Sequence, residues 1–107
     1  GPIPAQSPKR AIFRLQLHQL RQYFSEMFYA YVLESVSKPG TFYRGHTDDL
    51  KRRLQEHNDG KCLHTSKTPP WRVRFYAAFE TIQLAQAFER YLKSGSGHEF
   101  AHRHFGI

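Results

Sequence analysis

The sequence is poor in several features that define whole classes of protein. Its 107 residues include a single cysteine, Cys62, which excludes an internal disulfide and suits a reducing compartment, so a cytoplasmic location is expected. No apolar run approaches the roughly 20 residues that a membrane-spanning helix needs, so we expect no membrane partner. Acidic residues are also few, with nine Asp and Glu against 16 Lys and Arg.

Positive charge and aromatic rings are what the chain has in abundance. The net charge is +7, aromatic residues make up 15% of the chain, and the hydrophobic share of 39% is typical of a folded domain. An excess of cations favours polyanions, because each Lys or Arg docked on a phosphate releases condensed counterions. Nucleic acid is therefore a candidate partner, although charge alone does not establish it.

The pattern of residues divides the chain in two. Residues 10–25 are predicted to be helical because their apolar side chains fall mostly on one stripe. Before them lies a proline-rich stretch that opens with Gly1-Pro2, which resembles the remnant of a cleaved expression tag. We therefore predict a tail and a helix over residues 1–26, partly derived from a tag, and one domain over residues 27–107.

Three strands are predicted in that domain. Aromatic and β-branched residues indicate strands over residues 28–33 and 41–44, and the turn residues at 37–40 predict that these two strands pair as an antiparallel hairpin. Residues 71–79 alternate between apolar and polar side chains, as a third strand would.

Helices are predicted around the strands. Thr47 is expected to cap a helix that ends before Gly60, and Thr81 a second helix that runs to Lys93. The glycines within residues 94–97 should break that helix before a short one over residues 98–105. The predicted fold class is therefore α/β in the broad sense (α+β), a three-stranded antiparallel sheet flanked by helices.

Five residues could carry chemistry. Tyr31 and Tyr43 stand on the two paired strands, one on each. Arg53 and His57 are four residues apart on the following helix, hence on one face, and Glu89 lies in the middle of the last long helix. Each one alone has a structural explanation, since strand tyrosines are usually core residues and helical charges usually contact solvent.

Together these positions resemble the GIY-YIG nucleases. Tyr29-Ala-Tyr31 and Tyr43-Arg-Gly45 stand where that family has its two signature triplets. The last segment is similar to small stand-alone bacterial members, and the whole domain to the N-terminal domain of an excision-repair incision subunit. The match covers about residues 27–105 and continues through the segments 47–60, 71–80, 87–93 and 94–105.

The resemblance implies a divalent-metal-dependent endonuclease that hydrolyses phosphodiester bonds in DNA. Glu89 would hold one Mg²⁺ or Mn²⁺ ion, and the planar fork of Arg53 would pair with phosphate oxygens. Tyr31 would be the general base and Tyr43 would orient the attacking water, in roles that could be exchanged. His57 would receive the proton of Tyr31 or hold the phosphate.

The chain departs from the family pattern at several positions, among them Tyr29 and Ala30 of the first triplet, Arg44 and His46. Arg44 replaces the usual isoleucine of the second triplet, and its side chain should alternate away from Tyr43, toward solvent or substrate. His46 stands where some relatives have a lysine. The residues predicted to bind DNA are Arg44, His46, Lys51, Arg52, Lys61, Lys67, Arg72, Arg74, Lys93, Ser94 and Arg103.

The form of the DNA stays open between single strands, duplexes and branched molecules, and similarity to small family members favours single strands. The alternative function is a nucleic-acid-binding module that uses the same fold without catalysis. A zinc site on His57, Cys62 and His64 is disfavoured because it lacks a fourth ligand. Metal-dependent cleavage of an oligonucleotide would separate a nuclease from a binding module.

Overall fold

A computed structural model describes residues 26–107 together with five earlier residues, Gln16, Leu17, Gln19, Arg21 and Gln22, which are helical and exposed. The rest of the predicted tail and helix over residues 1–26 lies outside the described residues. The elements that follow are β1 (Phe28–Ser35), β2 (Phe42–Thr47), α1 (Leu50–Asn58), a 3-10 helix (Leu63–Thr65), β3 (Trp71–Phe79), α2 (Ile82–Lys93) and α3 (Gly95–Phe105).

The three strands form one antiparallel sheet in the order β2-β1-β3, so β1 is central and β2 is an edge strand. Tyr31 pairs with Gly45 on β2 and with Tyr76 on β3. The predicted α+β class with a three-stranded antiparallel sheet is confirmed. Both hairpin strands are longer than predicted, because pairing continues to Tyr29↔Thr47 at one end and to Glu34↔Phe42 at the other.

Each face of the sheet has its own small core. On one face Tyr31 and Leu33 pack with Trp71, and the leucines of α1 lie against them. On the other face Val32 packs with Leu92 of α2 and Ala101 of α3. Successive side chains of a strand point to opposite faces, so β1 contributes to both cores and is fully buried from residue 30 to residue 35.

The predicted cap of the first helix is wrong. Asp49, not Thr47, caps α1, since its side chain accepts a hydrogen bond from the backbone N–H of Arg52 at 3.0 Å. Thr47 is the last residue of β2, and its hydroxyl oxygen accepts from the N–H of Asp49 at 3.1 Å.

None of the helices in the described part of the chain combines the length and the apolar character that a membrane-spanning helix requires.

The segment 94–97 joins two helices tightly, so α3 begins at Gly95 and not at residue 98. The hydroxyl of Ser94 accepts from the N–H of Gly97 at 3.1 Å and donates to the carbonyl of Tyr91 at 2.6 Å. A Cβ atom at Gly97 would overlap that same carbonyl, so only glycine permits this approach. Ser94 is thus the N-cap of α3, and its contact with DNA stays a prediction.

Candidate active site

Three buried side chains, of which Tyr31 is the first, are joined by hydrogen bonds. The Tyr31 hydroxyl is 2.8 Å from Nε2 of His57, and Nδ1 of His57 is 2.7 Å from Oγ1 of Thr65. Tyr31 is 1% exposed, while His57 and Thr65 are fully buried. The three residues come from β1, from α1 and from the 3-10 helix, so the chain ties these elements together.

The surroundings of Thr65 favour one arrangement of protons. Its hydroxyl has an acceptor in the carbonyl of Cys62 at 3.4 Å, and donation there leaves Oγ1 free to accept from Nδ1–H of His57. Nε2 of His57 then accepts from the Tyr31 hydroxyl. Burial, reinforced by the positive charge of Arg53, lowers the pKa of His57 to about 4, so the imidazole is neutral near pH 7.

Gly45 makes room for both predicted catalytic tyrosines. A Cβ atom at this position would lie 2.6 Å from the Tyr31 hydroxyl oxygen and 3.1 Å from Cε1 of Tyr43. The Tyr43 ring in turn lies with its centroid 4.8 Å from that of His57. Gly45, the glycine of the second triplet, therefore allows both phenol rings to pack against its backbone.

Arg53 places a positive charge beside the two tyrosines. Its guanidinium, on α1, lies close enough to the Tyr31 hydroxyl to lower the pKa of that phenol, and it is 3.6 Å from a carboxylate oxygen of Glu56. Burial nevertheless raises the pKa of Tyr31 to about 12, against the lowering effect of Arg53. Burial, followed by the Cys62 thiol, also raises the pKa of Tyr43. Both phenols are therefore protonated at neutral pH.

An open groove of about 410 Å³ crosses the edge strand β2 beside the tyrosines, and it is lined by Phe42, Tyr43, Arg44, His64 and Lys93. Tyr43 is thus the tyrosine that contacts the groove, whereas Tyr31 lies behind it. Arg44 is half-buried, so it does not simply face solvent. Its Nε atom is buried and has no hydrogen-bond partner among the described residues.

Glu89 approaches β2 from the other side of the sheet. It lies on α2, which packs on the Val32 face, whereas Tyr31 is on the α1 face. Its carboxylate oxygens lie 2.8 Å from Nδ1 of His46 and 3.0 Å from Nζ of Lys93. Glu89 therefore lies on the opposite face of the sheet from Tyr31, and it reaches the edge strand at His46, the residue after Gly45, and at Lys93, which lines the groove.

The donors around Glu89 suit one kind of metal ion. Each of its carboxylate oxygens has a second lone pair beyond the one used by His46 or Lys93. Among the described residues no group of three His, Cys, Asp or Glu could form an all-protein cage. A single carboxylate fits Mg²⁺ or Mn²⁺, which keep several waters and complete their coordination with substrate phosphates.

Several of the predicted DNA-binding residues have partners within the protein. Arg72 and Arg74 both pair with the nearly buried carboxylate of Glu34, at 2.8 and 2.6 Å. Arg52 pairs with Asp48 at 2.6 Å on the surface of α1. Arg103 of α3 lies 3.5 Å from Glu99, and the lysines at 51, 61 and 67 are exposed.

Thr65 is the site residue that sequence reasoning missed. It lies eight residues after His57, beyond the end of α1, so no helical or strand period connects the two. Its backbone carbonyl also accepts from Nε1 of Trp71 at 2.9 Å, which fixes the 3-10 helix against β3. Only the folded loop brings this hydroxyl to the imidazole.

Comparison with known proteins identifies the family. A model described as the GIY-YIG catalytic domain matches residues 27–100, so the chain belongs to the GIY-YIG family. This family falls within a nuclease superfamily that acts on nucleic acid and generally depends on divalent metal ions.

Individual relatives carry names that state no activity. UPF0213 protein SpyM3_1077 of Streptococcus pyogenes serotype M3 is 41% identical over 66 residues, which are 61% of this chain and 70% of that protein. UPF0213 protein SpyM50708 of serotype M5 is 39% identical with the same coverage. The solution NMR structure of UPF0213 protein BH0048 from Bacillus halodurans is 28% identical, with a TM-score of 0.45, over 75% of this chain and 87% of that one.

Proposed function

We propose that this chain is a divalent-metal-dependent endonuclease that hydrolyses phosphodiester bonds in DNA. The observation that carries the proposal is the convergence of Tyr31, Tyr43 and Arg53 at Gly45, at the edge of the sheet that Glu89 reaches from the other side. Hydrolysis of a phosphodiester needs an activated water, positive charge on the phosphate and help for the leaving oxygen. The described side chains can supply the first two.

The two tyrosines have different surroundings, which supports different roles. Tyr43 lines the groove, so we assign it the contact with the attacking water. Tyr31 is buried and hydrogen-bonded to His57, so we assign it the role of holding the site in shape behind Tyr43. This is the exchange of roles that the resemblance left open. Arg53 lowers the pKa of Tyr43, but burial and the Cys62 thiol outweigh this effect, so Tyr43 would need further positive charge nearby to act as a base near pH 7.

Arg53 and Glu89 complete the proposed machinery. Arg53 would pair with non-bridging oxygens of the phosphate through its planar, permanently charged fork. Glu89 would hold the Mg²⁺ or Mn²⁺ ion, with His46 and Lys93 fixing its carboxylate. When bound, such an ion neutralises charge that develops on the phosphate and on the leaving oxygen.

The lining of the groove supports a preference for single-stranded DNA. Phe42, Tyr43 and His64 present rings there, and Arg44 and Lys93 present positive charge. Unpaired bases stack on such rings irrespective of their sequence, while cations follow the backbone. The paired bases of a duplex offer no free faces to such a platform.

One assay tests the proposal. Labelled single-stranded, duplex and branched oligonucleotides are incubated with Mg²⁺, with Mn²⁺ and with EDTA, and the products are separated on a denaturing gel. We expect cleavage with either metal, strongest on single strands, and none with EDTA. Binding without cleavage under every condition would instead support a nucleic-acid-binding module.

A further inference from the structure

We propose that Arg44 binds a backbone phosphate of the nucleic acid other than the one that is cleaved. This inference rests on the proposed function, because it assigns a second phosphate contact to the same substrate. The ligand is a phosphodiester group, recognised by charge and by hydrogen bonds without regard to base sequence.

Arg44 differs from Arg52, Arg72 and Arg74 in its contacts. Arg44 forms no ion pair within the described part of the chain, and its Nε atom is buried without an acceptor there. By contrast, Arg72 and Arg74 share Glu34, and Arg52 pairs with Asp48. Burying part of a guanidinium without an anion is unfavourable, and burial also lowers the pKa of Arg44. A phosphate that enters the groove lined by Arg44 would offset part of this cost.

The groove beside Arg44 combines positive charge with aromatic rings. Arg44 lines it together with Lys93 and three aromatic rings, and among the described residues no acidic side chain does so. The nearest linked carboxylate, Glu89, is already bound by His46 and Lys93. The groove is open to solvent, so an extended polyanion can enter it without a conformational change.

Arg44 and Arg53 lie on opposite faces of the sheet. Arg44 lies between Tyr43 and Gly45 on β2, opposite Val32 of β1, so its side chain is on the α2 face of the sheet. Arg53 acts from α1, on the other face. The two arginines therefore approach one edge strand from opposite sides, and a strand of nucleic acid that crosses this edge would present different phosphates to each.

The residue type fits this ligand. Arginine offers five N–H donors in a planar fork that matches two phosphate oxygens, whereas the isoleucine usual at this place in the family offers none. A contact through Arg44 would thus be a property of this chain added to the common machinery. It would contribute to affinity and to the path of the strand, and not to the chemical step.

The test measures binding in the absence of cleavage. Fluorescence anisotropy of a fluorescein-labelled single-stranded oligonucleotide in EDTA is recorded between about 50 and 200 mM salt for the wild type and for Arg44→Ile, Arg44→Lys and Lys38→Ala. Lys38, in the exposed hairpin turn, is the charge-matched control. Isoleucine suits a half-buried strand position, so Arg44→Ile should fold, and its thermal unfolding is measured in parallel.

We expect Arg44→Ile to weaken binding about tenfold at low salt and to reduce the slope of log affinity against log salt by about 0.7. Arg44→Lys should keep the slope and lose part of the affinity, and Lys38→Ala should match the wild type. If Arg44→Ile, folded as the wild type is, keeps the wild-type affinity and slope, the inference is wrong while the nuclease proposal stands. A wild-type chain that neither binds nor cuts would overturn both.

Discussion

The Tyr31 hydroxyl lies 2.8 Å from Nε2 of His57, a residue 26 positions further along the chain. With Thr65 on the second ring nitrogen, every polar atom of this imidazole has a partner in a region without solvent. Buried polar groups are costly when unpaired and fix one geometry when fully paired. The same hydrogen bonds that hold the fold at this point therefore hold the Tyr31 ring above Gly45.

Replacing Thr65 with valine should disturb this network with little change in shape. The substitution leaves Nδ1–H of His57 without an acceptor, so we expect unfolding to require about 1–3 kcal/mol less free energy. Cleavage under single-turnover conditions should also slow, since the ring of His57 is no longer fixed. Thr65→Ser retains the hydroxyl and should recover most of both properties. A Thr65→Val chain with wild-type stability and cleavage rate would show that the hydrogen bond is unimportant.

Gly45→Ala should reduce cleavage without unfolding the protein. The new Cβ atom would meet the Tyr31 hydroxyl at 2.6 Å, and that rigid ring is held by His57, so the tyrosines must move. A displacement of about 1 Å in an active site can cost roughly 100-fold in rate. Gly95→Ala is the matched control because its Cβ atom would contact nothing within 4 Å. Equal rates for the two variants would contradict this packing.

Stability should depend on the ionisation of His57 in a defined range of pH. Its pKa falls from 6.5 in a free chain to about 4 in the folded protein, chiefly through burial. The unfolded chain then binds more protons between these values, so the free energy of unfolding should decrease as the pH falls from 6.5 to 4. Glu34, whose pKa is lowered to about 2 chiefly by the N–H of Gly40, adds a similar loss from pH 4.5 downward.

Urea denaturation at a series of pH values checks this expectation. Between pH 6.5 and 4.5 the His57→Gln variant should lose much of the wild-type slope, although its stability at pH 7 is lower. His98→Gln, at an exposed position on α3, is the control and should keep that slope. An unchanged slope in His57→Gln would mean that His57 is not a buried neutral base.

The two tyrosines can be separated by removing one hydroxyl at a time. Tyr43→Phe should nearly eliminate cleavage and leave stability almost unchanged, because Tyr43 lines the groove. Tyr31→Phe should destabilise the protein, since Nε2 of His57 loses its donor, and should leave measurable cleavage. Single-turnover rates and urea midpoints for both variants decide between these roles. The opposite ranking of rates would return the general base to Tyr31.

Local patterns predicted the regular elements well. The alternation over residues 71–79 and the Thr81 cap are strong short-range signals, and β3 and α2 have the predicted bounds. Thr47 was misassigned because it and Asp49 are both good caps. Strand pairing with Tyr29, a contact between distant residues, extends β2 to Thr47 and so decides between them.

The site was predictable as a set of residues but not as an arrangement. Spacing indicated that Arg53 and His57 share a helix face, and the structure brings both to Tyr31. The approach of Glu89 from the opposite side of the sheet, through His46, depends on how α2 packs. Likewise, a sequence cannot show that Glu34 would engage Arg72 and Arg74, because these ion pairs join β1 to β3.

The charges of Arg53 and Glu89 are proposed to act together in one metal-dependent hydrolysis. Single-turnover cleavage of one labelled single-stranded oligonucleotide with Mg²⁺ is compared for the wild type, Glu89→Gln, Arg53→Ala and Arg52→Ala. Glu89→Gln should abolish cleavage, and Arg53→Ala should slow it by roughly 100- to 1,000-fold, as expected for loss of one transition-state contact. Arg52→Ala, which removes an exposed charge paired with Asp48, should change the rate only slightly. Undiminished cleavage by Glu89→Gln, or equal rates for the two arginine variants, would contradict the proposed roles of Glu89 and Arg53.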